Sequence, residues 1–199
     1  MDRLYELLDR LNAASPAEEK DLEAEIWRAY GAEKAVLVLD MSGFSRVVRR
    51  HGIVHYLAMV RRMQIVTRPL VLQHGGAVVK YEADNLFATY DSVGDAVSSA
   101  VAIRGSFEAI NPHTPDERDI HVSIGIAWGK ILLVPDDDYF GDAVNIASKL
   151  GEDLASQGEI LLAESVHELL PASHPWTLTP VVFSISGLEL KAWAVTTPP

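Results

Sequence analysis

Two aspartates that each end an apolar run, Asp40 and Asp84, are the residues best placed to do chemistry. Asp40 closes Ala35-Val-Leu-Val-Leu39 and leads into Met41-Ser42-Gly43-Phe44, while Asp84 follows Ala77–Glu82 in a short turn before Leu86-Phe87-Ala88. A carboxylate at the end of a buried strand is costly unless it is paired or metal-bound. Two that converge across neighbouring strands suit Mg²⁺, which takes one or two protein carboxylates together with substrate phosphates. The plainer alternative is two turn or cap aspartates, a common place for Asp. Three further groups bear on the choice. Ser42-Gly43-Phe44 opens a helix, whose exposed N–H groups can hold phosphate oxygens. Lys80 sets a cation four residues before Asp84 on one hairpin. Asp138-Tyr-Phe-Gly-Asp-Ala-Val-Asn-Ile-Ala-Ser-Lys149 puts an acid before a glycine turn and then Asn145 and Lys149 on one helical face.

The remaining elements must position these groups. Leu4, Leu7, Leu8 and Leu11 are spaced for a short amphipathic helix. Ser15-Pro16-Ala17-Glu18 reads as a capping box that starts a second helix, running to Tyr30 and stopping at Gly31. This gives a helical extension over 1–33 and one larger domain over 34–199, with a linker near Gly31–Lys34. The extension packs either on that domain or on a partner subunit. Beyond it the pattern predicts a strand at 35–39 and helix over 43–73, broken near Gly52 and Pro69. A hairpin at 77–82 and 85–90, a helix over 92–110 and a proline loop at 111–118 come next. Strands at 119–127 and 130–134, a helix over 141–155, a strand at 159–162, a helix over 163–170 and strands at 177–184 and 189–195 complete the chain. Hairpins combined with helical crossovers imply a mixed sheet with helices packed on it, an α+β fold.

Composition narrows the function. The chain has 199 residues, 48% of them apolar, enough to bury a full core. Its formal net charge of −11 argues against nucleic-acid binding, which needs a basic face. A small nucleotide stays open, because a local cationic pocket with bound metal overrides the global sign. With no cysteine, thiolate catalysis and zinc–thiolate sites are excluded. Neither a signal peptide nor an apolar run of about 20 residues is present, so membrane insertion is not expected and a cytoplasmic location is.

In the order and spacing of these motifs, and most specifically in DYFGDAVNIASKL at 138–150, the chain resembles the class III nucleotidyl cyclase catalytic domain, the adenylate and guanylate cyclase family. The likeness runs from about Val36 to Val195. It implies a largely antiparallel sheet with a ferredoxin-like core. It also implies metal binding by Asp40, Asp84 and the Met41 backbone carbonyl, with two Mg²⁺ or Mn²⁺ ions per site. These would activate the ribose 3′-hydroxyl for in-line attack on the α-phosphorus, releasing pyrophosphate. Lys80 and Asp138 match the pair that reads adenine: Lys donates to N1 and Asp accepts from the exocyclic amine. Guanine reverses both groups, so the resemblance implies ATP as substrate and 3′,5′-cyclic AMP as product. Ser42, Gly43 and Phe44 would line the triphosphate, and Asn145 would orient the ribose. Lys149 stands where the family has an arginine that stabilises transition-state charge. Such sites form across a homodimer, with Asp40 and Asp84 from one subunit and Lys80, Asp138, Asn145 and Lys149 from the other.

Three departures qualify the match. Lys149 keeps the charge of the arginine but not its planar fork. Ala83 replaces the glycine that usually precedes the second metal aspartate, and Ser186 replaces a basic residue before the last glycine turn. Two alternatives therefore stand beside adenylate cyclase: a cyclase using GTP or a pyrimidine nucleotide, and a cyclase-like module that binds nucleotide or a partner without turnover. Taken singly, Lys80, Asn145 and Lys149 also read as surface residues. The seven histidines read as surface or satisfied groups, and Trp128 as packing. Tyr139 and Phe140 fit either packing or base contact. Arg46, Arg49, Arg50, Arg61 and Arg62 read as a solvated helix face, with a phosphate or partner site as the other possibility.

Overall fold

The run Ala35–Leu39 is apolar at every residue because both of its faces are covered. It is the middle of the strand β1 (Gly31–Met41). The structure, a computed structural model, describes residues 2–135, 137–185 and 188–196, without the side chains of 44–46, 185 and 188. Two helices, α1 (Asp2–Asn12) and α2 (Pro16–Tyr30), precede β1. The helices α3 (Phe44–His51) and α4 (Ile53–Gln73) follow it, then the hairpin β2 (Ala77–Glu82) and β3 (Asn85–Tyr90) and the helix α5 (Val93–Ile110). Next come β4 (Val122–Val134), β5 (Asp138–Phe140), α6 (Asp142–Ser148) and a π-helical turn over Lys149–Leu154. The chain closes with β6 (Ile160–Ala163), α7 (Glu164–His167), β7 (Thr177–Ile185) and β8 (Leu188–Thr196). Among the described residues the strands form one sheet in the order β2-β3-β1-β4-β6-β8-β7, with β5 paired to the far end of β4. Every pairing is antiparallel except β4 with β6. The sheet is mixed and mostly antiparallel with helices on both faces, as expected of an α+β fold.

Alternation along β1 divides the core. Ala35, Leu37, Leu39 and Met41 face α4 and α5, joining Met59, Met63, Ala96, Ile103 and Phe107. Val36 and Val38 point the other way, to a smaller cluster with Phe87, Ala127, Tyr139, Ala143 and Leu150 under α6. Asp40 continues this second series, so strand periodicity alone sends its carboxylate to the α6 face. A third cluster ties Leu4, Leu7, Leu22 and Ile26 to Val134 and Leu132, so α1 and α2 pack on the end of β4 of their own chain.

Some boundaries differ from expectation. Gly31–Lys34 is the first part of β1, paired with Gly129–Leu132, and not a linker. The two strands expected at 119–127 and 130–134 are one, because Trp128 and Gly129 pair with Ala35 and Lys34 and make no turn. Helix α4 runs through Pro69 without a break. The proline removes only the bond to the Ile65 carbonyl, and both residues lie on the exposed side where water serves instead. The break at Gly52 is present, with φ 83.

Candidate active site

Antiparallel pairing of Leu39 with Leu86 brings the end of β1 beside the β2–β3 turn, and with it Asp40 beside Asp84. The electrostatics register this proximity. Burial first, then the Asp84 and Glu152 carboxylates, push the Asp40 pKa up from 3.8 to about 7. The Tyr56 hydroxyl, on the inner face of α4, faces Asp84, and burial first and then the Asp84 carboxylate hold the phenol above its usual range. Two neighbouring carboxylates whose charge the protein leaves uncompensated fit a divalent cation. Among the described residues no group of three or more His, Asp or Glu could hold a metal by itself.

The turn holding Asp84 departs from ordinary backbone geometry. Ala83, its first residue, has φ 50, and it alone among the described non-glycine residues has positive φ. The sequence expectation that a missing glycine would affect this turn has a physical form here: the alanine occupies a conformation glycine adopts freely. Left-handed backbone costs an L-residue roughly 1–2 kcal/mol. Ala83→Gly is therefore expected to raise unfolding stability by about 1 kcal/mol in urea denaturation. An unchanged or lower midpoint would show that the turn is not strained.

Further along the hairpin, Lys80 pairs across the strands with Phe87, so both face α6, and its Nζ lies 5.1 Å from the Phe87 ring centre. The same Nζ is 3.1 Å from Asp138 Oδ2 and 2.9 Å from Glu82 Oε2. Burial alone would lower the Lys80 pKa, but the bonds to Glu82 and Asp138 outweigh it and raise the value. Asp138 Oδ1 accepts the Tyr139 N–H at 2.8 Å, which fixes its carboxylate. Tyr139 is buried and packs edge-on against Phe87 at 6.2 Å, whereas Phe140 is exposed. Tyr139 is thus a packing residue.

Asn145 and Lys149 project from the helix that covers this face. Gly141, with φ 153, starts it, and the Lys149 N–H donates to the carbonyls of Asn145 and Ile146. Both residues are therefore one turn apart, as their spacing predicts. The helix then widens into the π turn instead of continuing as α-helix to 155. Its backbone lies directly on the sheet: a Cβ at Gly151 would sit 2.6 Å from the Val38 carbonyl oxygen, and one at Gly125 2.1 Å from that of Ala147. Two facing glycines permit this approach, and the wider turn fits the backbone into it. Lys149 Nζ is 2.7 Å from Asp153.

Two residues near the site escaped sequence reasoning. Glu152 follows Gly151 and reaches the carboxylate group. Burial, then Asp153, Asp84 and Glu82, raise its pKa against a bond from Ser148. Its placement depends on the π turn, for which the sequence offers only the glycine. Tyr56 sits in the buried stripe with Met59, Val60 and Met63, and a polar-tipped ring in such a stripe was the available signal. The Ser42 N–H donates to the His121 carbonyl at 2.9 Å, extending the β1–β4 ladder. It is therefore not free for phosphate, leaving the Ser42 side chain, Gly43 and Phe44 as candidates. The Phe44 side chain and Ser186 lie outside the described residues.

Fold and site together define a domain that folds like a nucleotidyl cyclase. A family profile for the adenylate and guanylate cyclase catalytic domain matches residues 32–181. The protein "Putative adenylate cyclase 3" of Rhizobium meliloti is 34% identical over 134 residues, covering 67% of this chain and 22% of that protein. An adenylate cyclase of Streptomyces coelicolor is 29% identical over 116 residues, covering 58% of this chain and 29% of the relative. The match thus spans under a third of either relative. Among solved structures, an adenylate/guanylate cyclase/hydrolase from Silicibacter pomeroyi superposes with a TM-score of 0.69 at 27% identity, over 84% of this chain and 98% of the other. The catalytic core of a rhodopsin-guanylyl cyclase with converted specificity, in complex with ATPalphaS, gives 0.73 at 19% identity, over 84% and 98%. The chain belongs to the adenylate and guanylate cyclase catalytic domain family. Domains of this class generally use divalent metal ions. Among the described residues no helix is long and apolar enough to cross a membrane.

Proposed function

We propose that this chain is a homodimeric adenylate cyclase domain that converts ATP to 3′,5′-cyclic AMP and pyrophosphate in the cytoplasm. The observation that carries the reading is the Lys80–Asp138 pair, a donor and an acceptor 3.1 Å apart and half-buried on one face of the sheet. Adenine offers the matching acceptor at N1 and donor at its amine, whereas guanine offers the reverse. Asp40, Asp84 and the Met41 carbonyl would hold Mg²⁺ or Mn²⁺, two ions per site. Bound there, such ions lower the pKa of the 3′-hydroxyl and neutralise phosphate charge. The chain's own residues do the rest. Lys80 and Asp138 select the base, and the Ser42 side chain with Gly43 and Phe44 flanks the phosphates. Asn145 orients the ribose, and Lys149 supplies positive charge to the polyphosphate. A dimer is part of this reading because the carboxylate pair and the base-reading pair are each assembled within one chain, as complementary halves of a shared site.

Purified protein incubated with ATP and Mn²⁺ is expected to form 3′,5′-cyclic AMP. Absence of product from a verified dimer would overturn the proposal. Selectivity has its own test. In competition with equal GTP, CTP and UTP, ATP is expected to be consumed first. Lys80→Glu combined with Asp138→Cys, the pairing typical of GTP users in this family, is expected to shift the ATP/GTP ratio of kcat/KM toward GTP. Each mismatched buried polar group is worth roughly 1–3 kcal/mol, so the shift should be about 10²-fold. A wild-type preference for GTP would assign the chain to guanylate cyclases instead.

A further inference from the structure

Helix α4 is apolar on both sides, which a surface helix ordinarily is not. Its inner stripe, Tyr56, Met59, Val60, Met63, Thr67 and Val71, is buried. On the outside, Ile53 is 50% exposed, Val54 78%, Leu57 57%, Ile65 59% and Leu72 57%. These are half of the ten most exposed large apolar side chains among the described residues. Arg61 and Arg68 are the only charged residues exposed on this side, and neither has a carboxylate within salt-bridge distance among the described residues. The surrounding sequence is equally one-sided. None of the 28 acidic residues falls between Met41 and Tyr81, whereas seven of the 17 lysines and arginines do. In a chain of net charge −11 this segment is net positive in sequence, and Arg61 and Arg68 put part of that charge on the outer face of α4.

The spacing indicates what shape covers it. Ala58, Ile65 and Leu72 repeat every seven residues, and Val54, Arg61 and Arg68 form a second seven-residue row beside them. A seven-residue repeat keeps one seam facing a second helix laid alongside. From Val54 to Leu72 the seam is about 27 Å long at 1.5 Å per residue. Charge then excludes some occupants. A second copy meeting this face through its own α4 would bring more arginine and no carboxylate to Arg61 and Arg68. An anionic bilayer is disfavoured because only two cations, Arg61 and Arg68, are exposed on this side of α4, in a chain of net charge −11. We propose that the outer face of α4 is a docking surface for an acidic amphipathic helix of another polypeptide, with apolar residues on the seam and carboxylates opposite Arg61 and Arg68.

The test uses the full chain and a synthetic peptide of about three heptads, with Leu at the seam positions and Glu flanking them. A control peptide carries Lys in place of Glu. Fluorescence anisotropy is expected to show the Glu peptide binding at least about tenfold tighter than the Lys peptide, with an affinity that falls as salt rises. Arg61→Glu with Arg68→Glu should reverse that order, and Leu57→Ser with Ile65→Ser should abolish binding of both. All four positions are exposed, so thermal melting should stay near wild type and confirm folded variants. Equal affinity for the two peptides, binding of neither, or binding untouched by the variants would each overturn the proposal. So would sedimentation with phosphatidylglycerol vesicles that the arginine variants abolish while peptide binding stays weak, since that assigns the face to a membrane.

Discussion

Asp40→Asn is expected to abolish cyclic nucleotide formation and, at the same time, to make the folded chain more stable above neutral pH. The first effect follows if Asp40 holds the ions that carry phosphate charge. Losing that stabilisation is worth several kcal/mol, or roughly 10³ or more in rate. The second follows from the direction of the Asp40 shift. Its pKa lies near 3.8 in the unfolded chain and is pushed up to about 7 in the fold by burial and by Asp84. Stability contributed by such a group is complete below the unfolded value and is lost as pH rises, levelling off once the folded value is passed. Wild type should therefore weaken between about pH 4 and pH 7, and the asparagine variant should not. Three units would amount to about 4 kcal/mol, and partial solvent access reduces this to roughly 2 kcal/mol. Thermal melts at pH 5 and pH 8 separate the two effects. The variant's advantage should appear at pH 8 and shrink toward acid, and Mn²⁺ should raise the wild-type midpoint at pH 8 but not the variant's. A variant with no advantage at either pH would mean that the carboxylates do not repel. A variant that still turned over would remove Asp40 from the chemistry.

That Asp40 was identifiable without coordinates reflects how directly strand geometry acts. An apolar run buried on both faces, ending in an acid, fixes the side to which the carboxylate points, and the hairpin before Asn85 must lie alongside to cover the strand edge. The Lys80–Asp138 contact joins β2 to β5 across 58 residues, and no local pattern announces it. The resemblance to the family supplied that pairing. Burial of Tyr139, the approach of Tyr56 to Asp84 and the reach of Glu152 depend on packing between distant segments. The continuity of β4 through Trp128 and Gly129 has a related reason. Gly129 looks like a turn residue in isolation, but here it faces α6, where a Cβ would lie 3.2 Å from that of Ala143. Close packing, not chain reversal, explains the glycine.

Under the proposed reading the lysines that would meet the substrate are already paired in the chain itself: Lys80 with Glu82 and Asp138, Lys149 with Asp153. Substrate binding must therefore exchange ion pairs instead of filling bare cations. The exchange is cheap where the pairs are solvated, since exposed pairs contribute roughly 0.2–1 kcal/mol. It also favours a substrate that brings both phosphate charge and a base able to accept from Lys80.

Lys149→Ala is expected to lower kcat by about 10²–10³ while leaving KM within a few-fold, the signature of a group that acts mainly on the transition state. The side chain is partly exposed and its bond to Asp153 spans one turn, so the substitution should change stability by less than about 0.5 kcal/mol. A large loss of rate in an unaltered fold then reports chemistry and not packing. Lys149→Arg sharpens the assignment. The guanidinium brings two parallel donors to phosphate oxygens where the ammonium brings a single point charge, so kcat should rise, by about tenfold for one added charge-assisted bond. Asp153→Ala provides the third arm: freeing Lys149 from its tether should raise kcat slightly, by less than about threefold given the weakness of exposed pairs. Single-turnover measurements at saturating ATP and Mn²⁺ would resolve all three. If alanine at 149 left the rate unchanged, the helix carrying Asn145 would not reach the polyphosphate. The chain would then either draw its transition-state cation from elsewhere or, were wild-type turnover also negligible, bind nucleotide without converting it.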